Sequence, residues 1–155
     1  MNIGFYLLDI DISNSYHNTI LQTMRDLCKL LPYEEIVLFD NQSKVIHENT
    51  GYYVLHINEA KYFKGTLFVF DAKSLALTRH FPAPKKQIFV MNQADWTLNR
   101  TTPYNVWESI YMNDNVDLVT TNSDLNTLCK ICWKDPISDI NELNGATLRD
   151  VLQKI

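Results

Sequence analysis

The chain contains no apolar run of about 18 residues, so no segment reads as a membrane-spanning helix. Its start, MNIGFYLLDID, has no basic stretch before the apolar residues and no small-residue cleavage site, which argues against a secretory signal. Cysteine occurs three times, an odd number without the spacing of a disulfide framework, and this fits a reducing, cytoplasmic setting. Basic residues are outnumbered, 14 Lys and Arg against 18 Asp and Glu. The resulting net charge of -4 provides no field to attract nucleic acid. Glycine is scarce, and the loop after the first apolar segment has none, which excludes a glycine-rich phosphate cradle there. No internal repeat and no low-complexity tract is visible.

What the 155 residues do contain is a rhythm. Six short apolar segments, Asn2–Leu8, Glu35–Phe39, Tyr52–Ile57, Thr66–Phe70, Gln87–Met91 and Val116–Thr120, are each followed by a polar turn and mostly by a helical stretch. Most are near-continuous runs of large or β-branched residues, as expected of strands covered on both faces. The pattern predicts one α/β domain over residues 1–155, a three-layer Rossmann-like fold with a mainly parallel sheet of about six strands. A ligand site is then expected at the carboxyl ends of the strands, where the winding direction changes.

Helical spacing of Ile20, Leu21, Met24, Leu27, Cys28 and Leu31 predicts a helix over Tyr16–Leu31, capped by Ser13, Asn14 or Ser15 and stopped by Pro32. Asp40–Ser43 reads as a turn, Ala72–Phe81 and Tyr104–Met112 as helices, and Asn92–Pro103 as turn-like. Leu125, Leu128, Cys129, Cys132 and Trp133 are expected to share a helix face, which makes both thiols small hydrophobes rather than a redox or zinc pair. The last helix carries Leu148, Val151, Leu152 and Ile155 at helical spacing, an apolar face that needs a cover.

The polar loop after the first segment carries Asp9, Asp11, Asn14, Ser15, His17 and Asn18. Its residue types suit capping and turns, and they also suit a ligand site. His17 is the candidate base, with Asp9 or Asp11 as its orienter. His56 and Asn58 leave the third segment toward the expected ligand rim, Asn92 the fifth and Ser123 the sixth, all as candidate ligand-binding residues. Asp9, Asp11, Asp40 and Asp71 follow strands in a way that loosely resembles the magnesium site of receiver and phosphatase domains. Such acids are more often caps, and no metal site is assigned. Arg79, His80, Lys85 and Lys86 form a basic clump read as a solvated helix end, and Trp96, Tyr104, Trp107 and Tyr111 as an aromatic set suited to sugar or protein contact.

Three stretches resemble the amino-terminal, acceptor-side half of GT-B glycosyltransferases. NIGFYLLDIDISNSYHNTI resembles the first strand and acceptor-side loop. YYVLHINEAKYFKGTLFVFDAKSLAL has the family's cadence of strand, polar turn, short helix and strand. VDLVTTNSDLNTLCKICWKDPISDINELNGATL is similar to the stretch that closes that half, with Thr121–Ser123 ending the strand and Asn144–Gly145 at the turn toward a second domain. The resemblance implies acceptor recognition by the loop at Ser13–Asn18. It also implies a nucleotide-sugar-binding domain that this sequence does not include. The chain is therefore expected to bind rather than catalyse when alone, with no cofactor. Isolated halves of this kind resemble phage or viral genes, in keeping with the small size and the Asn-, Ile-, Lys- and Tyr-rich composition. A sugar or nucleotide-sugar ligand follows from this reading, with no membrane and no nucleic-acid partner. The alternative is a non-enzymatic interaction protein that meets a protein partner or a second copy through its aromatic surface and last helix.

Overall fold

The structure is a computed structural model that describes residues 1–41, 51–84 and 86–155; Gln42, Ser43 and Lys85 lie outside them. Seven strands form one sheet in which every pairing is parallel: β1 (Asn2–Leu7), β2 (Glu35–Asp40), β3 (Tyr53–His56), β4 (Thr66–Val69), β5 (Lys86–Met91), β6 (Val116–Thr120) and β7 (Ser138–Asp139). Their order is β3-β2-β1-β4-β5-β6-β7. This is a three-layer, Rossmann-like α/β fold.

Residue alternation explains the three layers. On β1, Ile3, Phe5 and Leu7 enter one core and Tyr6 the other; on β5, Ile88 and Val90 oppose Phe89 and Met91. Successive side chains of a strand point to opposite faces, so continuous apolar runs supply both cores. Helices α1 (Ser15–Leu30) and α6 (Gly145–Leu152) cover the first face. The 3-10 helix Ile57–Tyr62, α2 (Ala72–Thr78), α4 (Tyr104–Tyr111) and α5 (Ser123–Cys132) cover the second.

Four of the helices, α1, α2, α5 and α6, begin on a side-chain cap that the sequence supplies. Asn14 accepts from the Tyr16 N–H on α1, Asp71 from Ser74 on α2, Asn122 from Leu125 on α5 and Asn144 from Thr147 on α6. A cap of this type contributes about 1 kcal/mol. On α6 the cap is reciprocal, because the Thr147 hydroxyl also accepts from the Asn144 N–H.

The last helix finds its cover inside the fold. Leu148 and Val151 are fully buried against α1, and Leu152 nearly so. Burial of each contributes about 1.5–3 kcal/mol. The face expected to meet a partner is thus occupied, and only Ile155 stays exposed at its end.

Four further expectations change. The two-residue β7 is an added seventh strand, and a four-residue helix, α3 (Asp95–Leu98), interrupts the stretch read as turn-like. β3 is an edge strand with all four residues exposed, so its apolar run is not covered on both faces. Leu128 is exposed while Leu125 and Cys129 are buried, so it lies off the inner face of α5. No helix among the described residues is long and apolar enough to cross a membrane.

Candidate functional site

The chain leaves β1 toward β2 through α1 on one face, and leaves β4 toward β5 through α2 on the other. The two exits diverge, and adjacent parallel strands with diverging exits open a crevice at their carboxyl ends. A cavity of about 310 Å³ lies there. Leu7 ends β1 at its floor, Phe70 and Asp71 follow β4, and Phe89, Asn92 and Gln93 come from β5 and its exit. The first turn of α1 closes it with Asn14, Tyr16 and His17, and Asp95 enters from α3.

Two carboxylates set the chemistry. Asp71 has both oxygens engaged by Ser74, Oδ1 accepting from the backbone N–H at 2.8 Å and Oδ2 from the hydroxyl at 2.6 Å. Asp95 Oδ1 accepts from Gln93 Nε2 at 2.7 Å. Burial holds the Asp95 carboxyl above the usual range; the Gln93 and Ala72 N–H groups oppose that rise, and the charge of Asp71 adds to it. Tyr16 places a buried hydroxyl beside this pair without a hydrogen-bond partner among the described residues. Burial raises its pKa most, and Asp71 and Asp95 raise it further. The charge of Asp71 also raises Tyr6, and that of Asp95 raises Tyr111, each after burial. Among the described residues the cavity lining holds no Lys and no Arg. It offers carboxylate and amide oxygens as acceptors, amide N–H groups and a phenol as donors, and Leu7, Ile20, Phe70 and Phe89 as apolar walls.

The expected site residues divide. Asn14, His17 and Asn92 meet in this crevice. His17 Nδ1 accepts from the Asp11 backbone N–H at 2.9 Å, while the Asp11 carboxylate accepts from the Ser13 N–H and hydroxyl. That arrangement lowers the Asp11 pKa, through Ser13 foremost. A base oriented by the Asp11 carboxylate is therefore not assembled: the imidazole is oriented by a backbone donor, which leaves its Nε2 to carry the proton. Asp9 is exposed, and neither Asp9 nor Ser15 lines the crevice. His56 caps the 3-10 helix, its Nδ1 accepting from the Asn58 N–H, at the β3 edge. Ser123 begins α5 beyond β6, on the other side of the sheet's midline. His56, Asn58 and Ser123 thus share the strand-end rim but not the cavity.

Tyr16, Gln93 and Asp95 were not singled out in sequence, although the rule that sites gather after strands reaches Gln93 and Asp95 directly behind β5. Among the described residues no three His, Cys, Asp or Glu side chains form a metal-ligating group. Of the basic clump, Lys86 pairs with Asp117, and Arg79 donates to its neighbour His80 and to Ser109.

Comparison with models of known protein families, with curated proteins and with solved structures finds no match to this chain.

Proposed function

We propose that the β1/β4 crevice binds a neutral, hydroxyl-rich small molecule, a monosaccharide or the terminal sugar of an acceptor. In this reading the chain acts as the acceptor-binding half of a glycosyltransferase-like enzyme. The observation that carries it is the lining: two carboxylates, four amide or imidazole side chains and a tyrosine hydroxyl without a partner, with no Lys or Arg among the described residues. Carboxylates repel phosphate but accept strongly from hydroxyls, so the chemistry favours an acceptor sugar over a donor diphosphate. The volume sits at the small end of ligand pockets, which run from about 300 to 1,000 Å³. Binding without turnover by the chain alone accords with His17, whose Nδ1 is committed to the Asp11 N–H.

The test is a thermal-shift and saturation-transfer NMR screen of hexoses, N-acetylhexosamines and their 1-phosphates. Neutral sugars should raise Tm, by mass action about 2.7 kcal/mol at a hundredfold excess over Kd. The 1-phosphates should bind more weakly, and Asn92→Ala and Gln93→Ala should abolish the response. Tighter binding of the phosphates, or no response to any sugar, would refute the proposal.

A second reading, a protein-interaction surface, is favoured by the exposure of Leu98 (68%), Tyr104 (63%) and Ile131 (76%) around α3, α4 and α5. Its sedimentation coefficient would rise with concentration and return to the monomer value in Ile131→Glu. A concentration-independent monomer would remove self-association from this reading.

A further inference from the structure

All three tryptophans of the chain, Trp96, Trp107 and Trp133, line one cavity of about 460 Å³ between the α3–α4 connection and the end of α5. Tyr104 and Ile131 form its open sides, and Arg100 stands in its wall. The rings are ordered against one another. Tyr104 stacks on Trp133 with centroids 5.3 Å apart, and Trp96 meets Trp133 edge-on at 5.6 Å.

Two features distinguish this cavity from the sugar crevice. Its charge is of the opposite sign: Arg100 is the one charged side chain in the lining, and it makes no ion pair or hydrogen bond among the described residues. The crevice at β1 and β4 carries Asp71 and Asp95, and the cavities beside α6 carry Asp26, Glu142, Asp139 and Asp150. In a chain of net charge -4, this cavity presents an anion with a cation and, among the described residues, no carboxylate. The second feature is a fixed aromatic wall: Trp107 and Trp133 are only 8% exposed, and Trp107 stacks on Tyr111 with centroids 5.9 Å apart.

We propose that this cavity is a binding site for a planar heteroaromatic ring that carries an anionic group. The ring packs among the indole and phenol faces, where stacking tolerates any flat π-system. The anion pairs with the Arg100 guanidinium, which presents a planar fork of N–H donors to phosphate or carboxylate. Nucleoside monophosphates and indole carboxylates share this chemistry. The site is separate from the sugar crevice and does not depend on it.

Because every tryptophan borders the cavity, fluorescence excited at the indole band reports its occupancy directly. The intact chain is titrated with AMP, UMP, indole-3-acetate, adenosine and ribose 5-phosphate, with calorimetry as the second readout. The expected result is saturable quenching by at least one ring-plus-anion compound, weaker binding of adenosine, and none of ribose 5-phosphate. AMP and UMP against indole-3-acetate separate the two sources of the shared chemistry. Arg100→Gln, at an exposed and unpaired position, should weaken the charged ligand tenfold or more and leave adenosine unchanged. No saturable quenching by any ring-plus-anion compound would overturn the proposal, as would unaltered affinity in Arg100→Gln. So would quenching that tracks protein concentration rather than ligand, which would mark the aromatic face as a contact between copies.

Discussion

Replacing Gly145 by alanine sets two effects of opposite sign against each other. Alanine is the better helix former, by about 1 kcal/mol in a helix interior and less at the first position that Gly145 occupies. Against this, a Cβ at Gly145 would stand 2.7 Å from the Leu27 backbone nitrogen and 2.9 Å from the Asp26 carbonyl carbon and Cβ. Two of those neighbours are backbone atoms of α1, which cannot rotate aside as a flexible side chain would. Overpacking of this kind costs about 1–3 kcal/mol, so the clash outweighs the propensity gain. A net loss of about 0.5–2 kcal/mol is expected, or about 1–8 °C in Tm at this chain length. The loss should be local first, since prising α6 from α1 uncovers Leu148, Val151 and Leu152. Thermal denaturation, with hydrogen exchange read at α6, checks both parts. A Tm at or above that of the parent, with α6 protection intact, would refute the argument that close α1–α6 contact holds the last helix.

Three other outcomes follow from the site and the cores. Asp95→Asn should raise stability at neutral pH, because its raised folded pKa makes the ionised carboxyl a cost to the folded state; partial exposure keeps the gain below about 1 kcal/mol. The difference should vanish as pH falls below the unfolded carboxyl's pKa, where both states are protonated; Tm against pH for the two proteins reads this, and an advantage that grows in acid would contradict it. Long-range nitrogen-15 NMR should find neutral His17 as the Nε2–H tautomer, since Nδ1 accepts from the Asp11 N–H; the Nδ1–H form would exclude that bond. Burial, with Cys132 adding to it, pushes the Cys129 thiol up to about 11, and its Sγ lies 3.5 Å from Met91 Sδ. Ellman's reagent should therefore modify the half-exposed Cys132 in the native protein and reach Cys129 only on unfolding, which mass spectrometry of the labelled peptides resolves.

The sheet was legible because its strands are buried on both faces, and continuous apolar runs such as NIGFYL and QIFVM announce that directly. β7 was illegible: Ser138 and Asp139 have no strand composition, and pairing with Val119 and Thr120 alone makes them a strand. α3 is similar, a four-residue helix held by Trp96 edge-on against Tyr111 and Trp133 rather than by its own propensity. β3 misled in the other direction, since Tyr53, Val54 and Leu55 are as apolar as central-strand residues yet sit on an edge. At the site, sequence located the rim but not the meeting. Asn14, His17 and Asn92 belong to exits from β1 and β5, which become neighbours of one crevice only because β4 lies between them in the sheet. His56 and Ser123 carry the same local signal, and strand order alone sends them elsewhere.

The most direct test of the sugar-crevice reading is a proton–nitrogen NMR titration of the labelled chain with the best-binding neutral sugar. Amide shifts should gather at Asn14, Tyr16, His17, Asp71, Asn92, Gln93 and Asp95, with those of His56, Asn58 and Ser123 unmoved. Perturbation centred on β3 or α5, or a spectrum unchanged at saturating sugar, would contradict it.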